Sequence, residues 1–98
     1  MNVLEGNKLI HTFMNPEHNF DEMLFYDISW DWLMPVIEKI ENMEVNNVFY
    51  EVLIGYCCCS IRLKIEQNHF FVSTDPLECS SKIEAVWQTV VKFIQNHV

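Results

Sequence analysis

The chain has little glycine, little proline and few basic residues, and each shortage excludes a class of function. Its 98 residues include two glycines, Gly6 and Gly55, and three prolines. A glycine-rich loop that surrounds a phosphate with backbone amides is therefore excluded, as is a flexible low-complexity linker. Six lysines and arginines stand against fourteen acids, for a net charge of -8. Such a charge opposes direct binding to nucleic acid and favours basic partners.

Long apolar runs are also missing. No stretch of about eighteen apolar residues is present, so we expect no membrane-spanning helix. Residues 1–8 lack the basic start and small-residue cleavage site of a signal peptide, and we expect a cytoplasmic protein. Half of the residues are hydrophobic and 13% are aromatic, which suits one core, so residues 1–98 are predicted to form a single domain.

Residues with catalytic or metal-binding chemistry are present without the spacing that such chemistry needs. Cys57, Cys58 and Cys59 are consecutive and Cys79 stands alone, a pattern that fits neither a disulfide framework nor a zinc site. The acid and histidine side chains of residues 17–22 fall in a predicted loop, where acids are usually solvated. We therefore expect no catalytic residues, no metal and no cofactor, and a protein that is not an enzyme.

Apolar residues at helical spacing predict three helices. The first covers residues 4–14 and ends before Asn15-Pro16. The second follows Ser29 as its N-cap residue, with Pro35 as a point where it kinks or restarts; its predicted buried stripe is Trp30, Leu33, Met34, Ile37 and Ile40. The third begins at a capping box formed by Ser81 and Glu84.

The centre of the chain alternates between apolar and polar residues, which predicts strands. A two-residue turn at Gly55-Tyr56 pairs Ile54 with Cys57 and Val52 with Cys59. A second turn at Gln67-Asn68 pairs Leu63 with Val72, and the inner face then contains Val48, Tyr50, Val52, Ile54, Cys57, Cys59, Ile61 and Leu63. The predicted fold is α+β, a three-stranded antiparallel β-meander with helices packed on one face, in the order ααβββα.

The negative charge is concentrated in one part of the chain. Residues 15–51 contain nine acids and one base, Lys39, whereas the remaining residues contain five acids and five bases. Two interpretations are open: a solvated face that aids solubility, or a surface whose carboxylates occupy a basic groove built for phosphates.

Two apolar features also allow more than one interpretation. Trp32 lies two residues after Trp30 and so points to a different side of the helix. It either packs under the N-terminal helix or the aromatic segment before it, or forms an exposed contact point ringed by acids. The outer face of the sheet has Phe49, Leu53, Cys58 and Phe71, which packing of the N-terminal helix, homodimerisation or target binding could each explain.

Residues 29–41 (SWDWLMPVIEKIE), residues 81–87 (SKIEAVW) with 93–95, and residues 7–10 with 13–14 give the chain a family resemblance. In these segments it resembles small proteins of phages and prophages of Bacteroidota, for which no activity is accepted. The likeness covers the three helices, roughly half of the chain, and stops at the strands with the triple cysteine. It implies a phage accessory gene, and such genes often encode inhibitors of host defence enzymes.

Charge and resemblance together predict an anti-defence binding protein, most concretely an anti-CRISPR inhibitor of an RNA-guided nuclease. Its expected partner is the CRISPR effector or its guide-RNA complex in the host cytoplasm, without direct nucleic-acid or membrane binding. The predicted partner-binding residues are Glu17, Asp21, Glu22, Asp27, Asp31, Trp32, Glu38 and Glu41. The alternative is a non-catalytic interaction module that dimerises through the outer face of the sheet.

Overall fold

Three helices and one antiparallel sheet make up the described part of the protein. The structure, a computed structural model, describes residues 2–16, 23–64, 70–74 and 81–97, with 70–74 and 97 described by their backbone alone. Its elements are α1 (Val3–Met14), α2 (Trp30–Glu41), β1 (Glu44–Val45), β2 (Val48–Gly55), β3 (Cys58–Leu63), β4 (Phe70–Thr74) and α3 (Lys82–His97). The strand order is β1-β2-β3-β4. The predicted α+β fold and its meander, β2 to β4, are confirmed.

Local capping chemistry starts the helices. The side-chain oxygen of Asn2 accepts a hydrogen bond from the Glu5 amide at 2.8 Å, and the Ser81 hydroxyl accepts one from the Glu84 amide at 3.2 Å. The predicted serine cap of α3 is therefore confirmed. Ser29 is the N-cap residue of α2, as predicted, but its side chain makes no capping hydrogen bond to the described residues. The helix continues through Pro35 without restarting.

A two-residue strand, β1, extends the predicted sheet. Asn46 and Asn47 have φ angles of 52° and 68°, and they join β1 to β2 in a tight hairpin that pairs Val45 with Val48. Two consecutive positive φ angles define the type I′ turn, for which asparagine is well suited. The sequence analysis predicted three strands, and β1 is an additional one at the edge of the meander.

The turn predicted between β2 and β3 is misplaced by one residue, which shifts the predicted pairing of the two strands by two residues. The loop residues are Tyr56 and Cys57, so that Gly55 pairs with Cys58 and Ile54 pairs with Cys59. Cys57, rather than the glycine, has the positive φ angle, 55°. Position 55 needs a glycine for a different reason: the Cys58 sulfur lies so close to the backbone there that a Cβ atom would be 2.6 Å from it.

The register predicted between β3 and β4 is also wrong. Val72 pairs with Ile61 rather than with Leu63, and an irregularity at Ile61/Arg62 shifts the pairing by one residue. Such a bulge cannot be derived from alternation alone, because it inserts an unpaired residue into one strand. The predicted turn at Gln67-Asn68 lies outside the described residues.

The core lies between the inner face of the sheet and the helices. Tyr50 of β2 contacts Phe93 of α3 edge to face, with ring centroids 4.9 Å apart, and Ile61 is fully buried. Ile54, which was predicted to lie on the buried face, is 38% exposed.

The N-terminal helix packs against α3. Gly6 permits this contact, since a Cβ atom there would lie 2.3 Å from the Trp87 ring. Of the three explanations for the apolar outer face, the one that covers it with the N-terminal helix is therefore wrong.

Candidate partner-binding surface

The aromatic segment before α2 fixes Trp32 to the body of the protein. The Trp32 ring meets Phe25 and Tyr26 edge to face, with centroid distances of 5.4 and 5.2 Å. Trp32 is half-buried and packs on the main core. Of the two interpretations of this tryptophan, the structure therefore shows the one in which it packs on the aromatic segment.

Tyr26 connects the same segment to α1. It is 5% exposed, and its hydroxyl lies 3.2 Å from Nδ1 of the buried His11. Burial raises the pKa of the Tyr26 phenol above its usual value, because the charged phenolate is less well solvated inside the protein. The segment before α2 is thus held to α1 by a buried contact between two side chains.

Asp27 has a structural role in addition to its charge. Its carboxylate accepts a hydrogen bond from the side-chain amide of Asn7 at 2.8 Å. Asn7 also accepts a bond from the Trp87 indole at 2.8 Å and donates one to the Leu24 carbonyl at 3.1 Å. This network joins the segment before α2 to both α1 and α3. Asp27 is half-buried, so part of the hydrogen-bonding capacity of its carboxylate is used inside the protein.

A cleft lies beside this network. It has a volume of about 720 Å³ and lies between the first turns of α1 and α3. Its lining includes two acids, Asp27 and Glu84, and the apolar residues Val3, Ile28 and Ile83. Such a lining suits a group with an apolar stem and a positive end, such as a lysine or arginine side chain.

Five exposed side chains share one flank of α2, and we call this set the α2 flank: Trp30, Asp31, Met34, Glu38 and Glu41. Trp30, Met34 and Glu38 follow one another at four-residue spacing, and Glu41 lies three residues further on, so they are neighbours on the helix surface. Asp31 adjoins Met34 by the same rule. Trp30 is 37% exposed and Met34 is 41% exposed.

The three carboxylates of the α2 flank are free of internal partners in the described part of the chain. No side-chain hydrogen bond or ion pair between described residues engages Asp31, Glu38 or Glu41. Glu51, by contrast, is paired with Arg62 at 3.3 Å on the sheet. Among the described residues, nothing therefore offsets the negative charge of these three side chains.

Lys39, the one base among residues 15–51, points away from the α2 flank. The Lys39 ammonium donates to the Phe13 carbonyl at the end of α1 and lies 4.5 Å from the centre of the Phe13 ring. A cation there suits both the negative end of α1 and the face of the ring. Lys39 therefore leaves the charge of the flank uncompensated.

The structure separates the eight sequence-predicted site residues into groups. Asp31, Glu38 and Glu41 lie together on the α2 flank, Trp32 packs on the opposite side of the helix, and Asp27 belongs to the buried network. Glu17, Asp21 and Glu22 lie outside the described residues, as do His18 and Cys79.

Sequence reasoning missed Trp30 and Met34 as candidate contact residues. It placed both in the buried stripe of the second helix, but the residues buried there are Leu33, Val36, Ile37 and Ile40. Including Val36 turns the centre of the stripe away from Trp30 and Met34, because successive residues are offset by about 100°. The position of Val36 in the helical repeat was therefore the sequence signal that could have identified Trp30 and Met34 as exposed.

Comparison with known proteins adds no relative to this picture: no protein-family model, no curated protein and no solved structure matches the chain. Within the residues that the structure describes, no helix is long and apolar enough to cross a membrane. The same residues contain no cluster of three or more metal-ligating side chains. Fold and surface together define an α+β domain with an acidic, partly apolar helix flank.

Proposed function

We propose that the protein is a binding protein that attaches its α2 flank to a basic surface of a protein partner. One observation carries the proposal: the exposed carboxylates of Asp31, Glu38 and Glu41 lie in the same row as the exposed Trp30 and Met34. Tryptophan is among the residues that contribute most to protein interfaces, especially when charged and polar groups surround it.

The charges and the apolar residues of the flank have different tasks in this proposal. Trp30 and Met34 provide apolar area that a partner can bury, and methionine adapts its shape to irregular surfaces. The carboxylates attract a cationic partner over a distance and fix its orientation, which raises the association rate more than the final affinity. The cleft beside Asp27 begins two residues before Trp30 and offers a place for one basic side chain of the same partner.

The partner that we propose is a host defence nuclease of the RNA-guided CRISPR class. The proposal follows from the resemblance to small phage and prophage proteins that the sequence suggests, and from the basic groove of such a nuclease, which is built to hold phosphates. Carboxylates on a rigid helix can occupy that groove in place of the RNA backbone. The protein then acts as a competitor of guide or target RNA and performs no chemistry itself.

Binding to a panel of purified CRISPR nucleases at low and high salt tests this proposal. The wild type is expected to bind at low salt and to lose affinity as salt rises, because salt screens exposed charges. Glu38→Gln/Glu41→Gln should weaken binding about tenfold at low salt. Glu5→Gln/Glu44→Gln removes the same charge from exposed positions off the flank and serves as the matched control.

The control variant separates an effect of the α2 flank from an effect of net charge. If both double variants weaken binding equally, net charge rather than the α2 flank is responsible. If the wild type binds no member of the panel, or binds independently of salt, the electrostatic proposal fails.

A second candidate function is a dimeric interaction module that associates through the outer face of the sheet. The observation in its favour is Phe49, which is 44% exposed and lies on the same face as Leu53 and Cys58. Light scattering on Phe49→Lys tests it: loss of a dimer supports this function, whereas an unchanged molecular mass contradicts it.

A further inference from the structure

Among the strands that the structure describes, the second half of β2 has a partner on one side only, and we call its other side the open edge. β1 covers the beginning of β2, where it pairs with Val48 and Phe49, and the Tyr50 amide donates to the Met43 carbonyl at 3.3 Å. β3 pairs with β2 on the other side from Tyr50 to Gly55. From Glu51 to Gly55, no described strand pairs with the side of β2 opposite β3.

Alternation identifies which backbone groups face this edge. The Lys64 amide donates to the Phe49 carbonyl at 3.0 Å, so Phe49 and every second residue after it exchange hydrogen bonds with β3. The intervening residues, Val52 and Ile54, therefore direct their N–H and C=O groups to the open edge. The bond from Tyr50 to Met43 points in the same outward direction and supports this assignment.

Within the described residues, two of the usual protections against strand pairing, proline and an unpaired charge, are missing from this edge. Natural edge strands are blocked by proline, by an unpaired charge or by a covering element. β2 contains no proline, and its charged residue, Glu51, is neutralised by Arg62. Apolar side chains with substantial exposure surround the edge: Val45, Phe49, Ile54 and Tyr56. Ile54 is on the inner face by alternation and is nevertheless 38% exposed.

We propose that two copies of this chain pair through the open edges of β2, antiparallel and with Leu53 on the twofold axis. Val52 of one copy then lies opposite Ile54 of the other, and each such pair exchanges both of its backbone hydrogen bonds. The register centred on Val52 instead places Ile54 opposite Tyr50, whose outward amide is already bonded to Met43. Of these two registers, the edge therefore permits the one centred on Leu53.

Side chains fit the same register. Glu51 lies opposite Gly55, so the pairing places no like charges directly across from each other. On the outer face Leu53 meets its own copy, and on the inner face Val52 covers the exposed Ile54. The two sheets become one continuous antiparallel sheet, a closed and self-complementary arrangement with twofold symmetry.

Salt affects this dimer and the α2 flank in opposite directions. Each copy has a net charge of -8, so the copies repel each other and salt should strengthen the dimer by screening. Binding of the α2 flank to a basic partner should weaken with salt. The dimer does not depend on the proposed function, and the two proposals can fail separately.

Sedimentation velocity over a range of protein and salt concentrations tests the dimer. The wild type is expected to dimerise more as salt rises, and Ile54→Pro should raise the dimer Kd about tenfold or more, since it removes one outward N–H from each copy. Proline is tolerated at an edge position whose N–H faces away from the sheet, and circular dichroism checks that the variant folds. Phe49→Lys leaves these N–H groups intact and should still dimerise.

A cross-link tests the register. Leu53→Cys places two thiols at a non-hydrogen-bonded pair with Cα atoms about 4.5 Å apart, within the range for a disulfide. Oxidation should produce a covalent dimer of Leu53→Cys that exceeds any formed by the wild type or by Glu51→Cys, whose opposite residue is a glycine.

A wild type that stays monomeric even in about 1 M salt, where charges are screened beyond ~3 Å, overturns the proposal. A Glu51→Cys cross-link as strong as that of Leu53→Cys overturns the register.

Discussion

The two tryptophans at the start of α2 lie on opposite flanks of one helix and have different surroundings. Trp32 packs between Phe25 and Tyr26, on the side where Lys39 reaches back to Phe13. Trp30 lies beside Met34, Glu38 and Glu41 on the side that faces solvent. Residues two apart on a helix separate in this way whatever their type. One flank of α2 therefore holds the helix in place, and the other is available to a partner.

This difference assigns stability to one flank and binding to the other. A change on the Trp32 side should alter the free energy of unfolding and affect binding only through the position of α2. A change on the Trp30 side should alter binding more than it alters the free energy of unfolding. The predictions below test this division, beginning with the largest effect.

Trp32→Ala should lower the free energy of unfolding by about 3 kcal/mol, since it leaves a cavity and removes two edge-to-face ring contacts. Trp30→Ala should lower it by about 1 kcal/mol, because that ring is more exposed and deletions near the surface cost less. Urea unfolding followed by circular dichroism measures both values. Equal losses in the two variants would show that the flanks do not differ as proposed.

Trp30→Ala should weaken binding to the basic partner by about 2 kcal/mol, the size expected for an aromatic residue at the centre of an interface. Trp30→Phe should recover part of that loss, because it restores apolar area. Titration calorimetry with whichever nuclease binds the wild type supplies the measurement. A Trp30→Ala variant that is folded and binds as tightly as the wild type removes the α2 flank from the interface.

Much of the helical part of the fold could be predicted, because helix signals are local. The stop at Asn15-Pro16 and the cap at Ser81 each depend on a few neighbouring residues, and the structure has both. The sheet was predicted less well, since its register depends on contacts between strands. Gly55 suggested a turn with glycine in the loop, yet the glycine is needed one position earlier to make room for the Cys58 sulfur.

The candidate surface was predicted in part for the same reason. Exposed acids such as Glu38 and Glu41 are visible in composition and spacing, and the structure places them on one flank. The exposure of Trp30 could have been inferred from Val36 in the helical repeat. The packing of Trp32 was not predictable from α2 alone, because it depends on Phe25 and Tyr26 folding back over one side of the helix.

Lys39→Met should lower stability by no more than about 1 kcal/mol, the usual range for an exposed cation above an aromatic ring. It also removes the bond to the Phe13 carbonyl. Lys8→Met is the matched control, since it removes the same charge from an exposed site on α1. Thermal unfolding of the pair should show the larger loss for Lys39→Met. If both lose equally, net charge alone explains the change and the contact with Phe13 contributes nothing.

The smallest effect should appear only in alkaline solution, at Tyr26. Because burial raises the pKa of this phenol, the folded protein keeps a proton that the unfolded chain loses above its ordinary pKa of about 10. Stability contributed by the neutral phenol is therefore complete below that pH and declines as pH rises above it. Urea unfolding from neutral to alkaline pH should show a steeper decline for the wild type than for Tyr26→Phe. If the free energy of unfolding falls equally with pH in the wild type and in Tyr26→Phe, the site of Tyr26 tolerates a phenolate. The Trp32 side of α2 would then be less enclosed than its ring packing indicates.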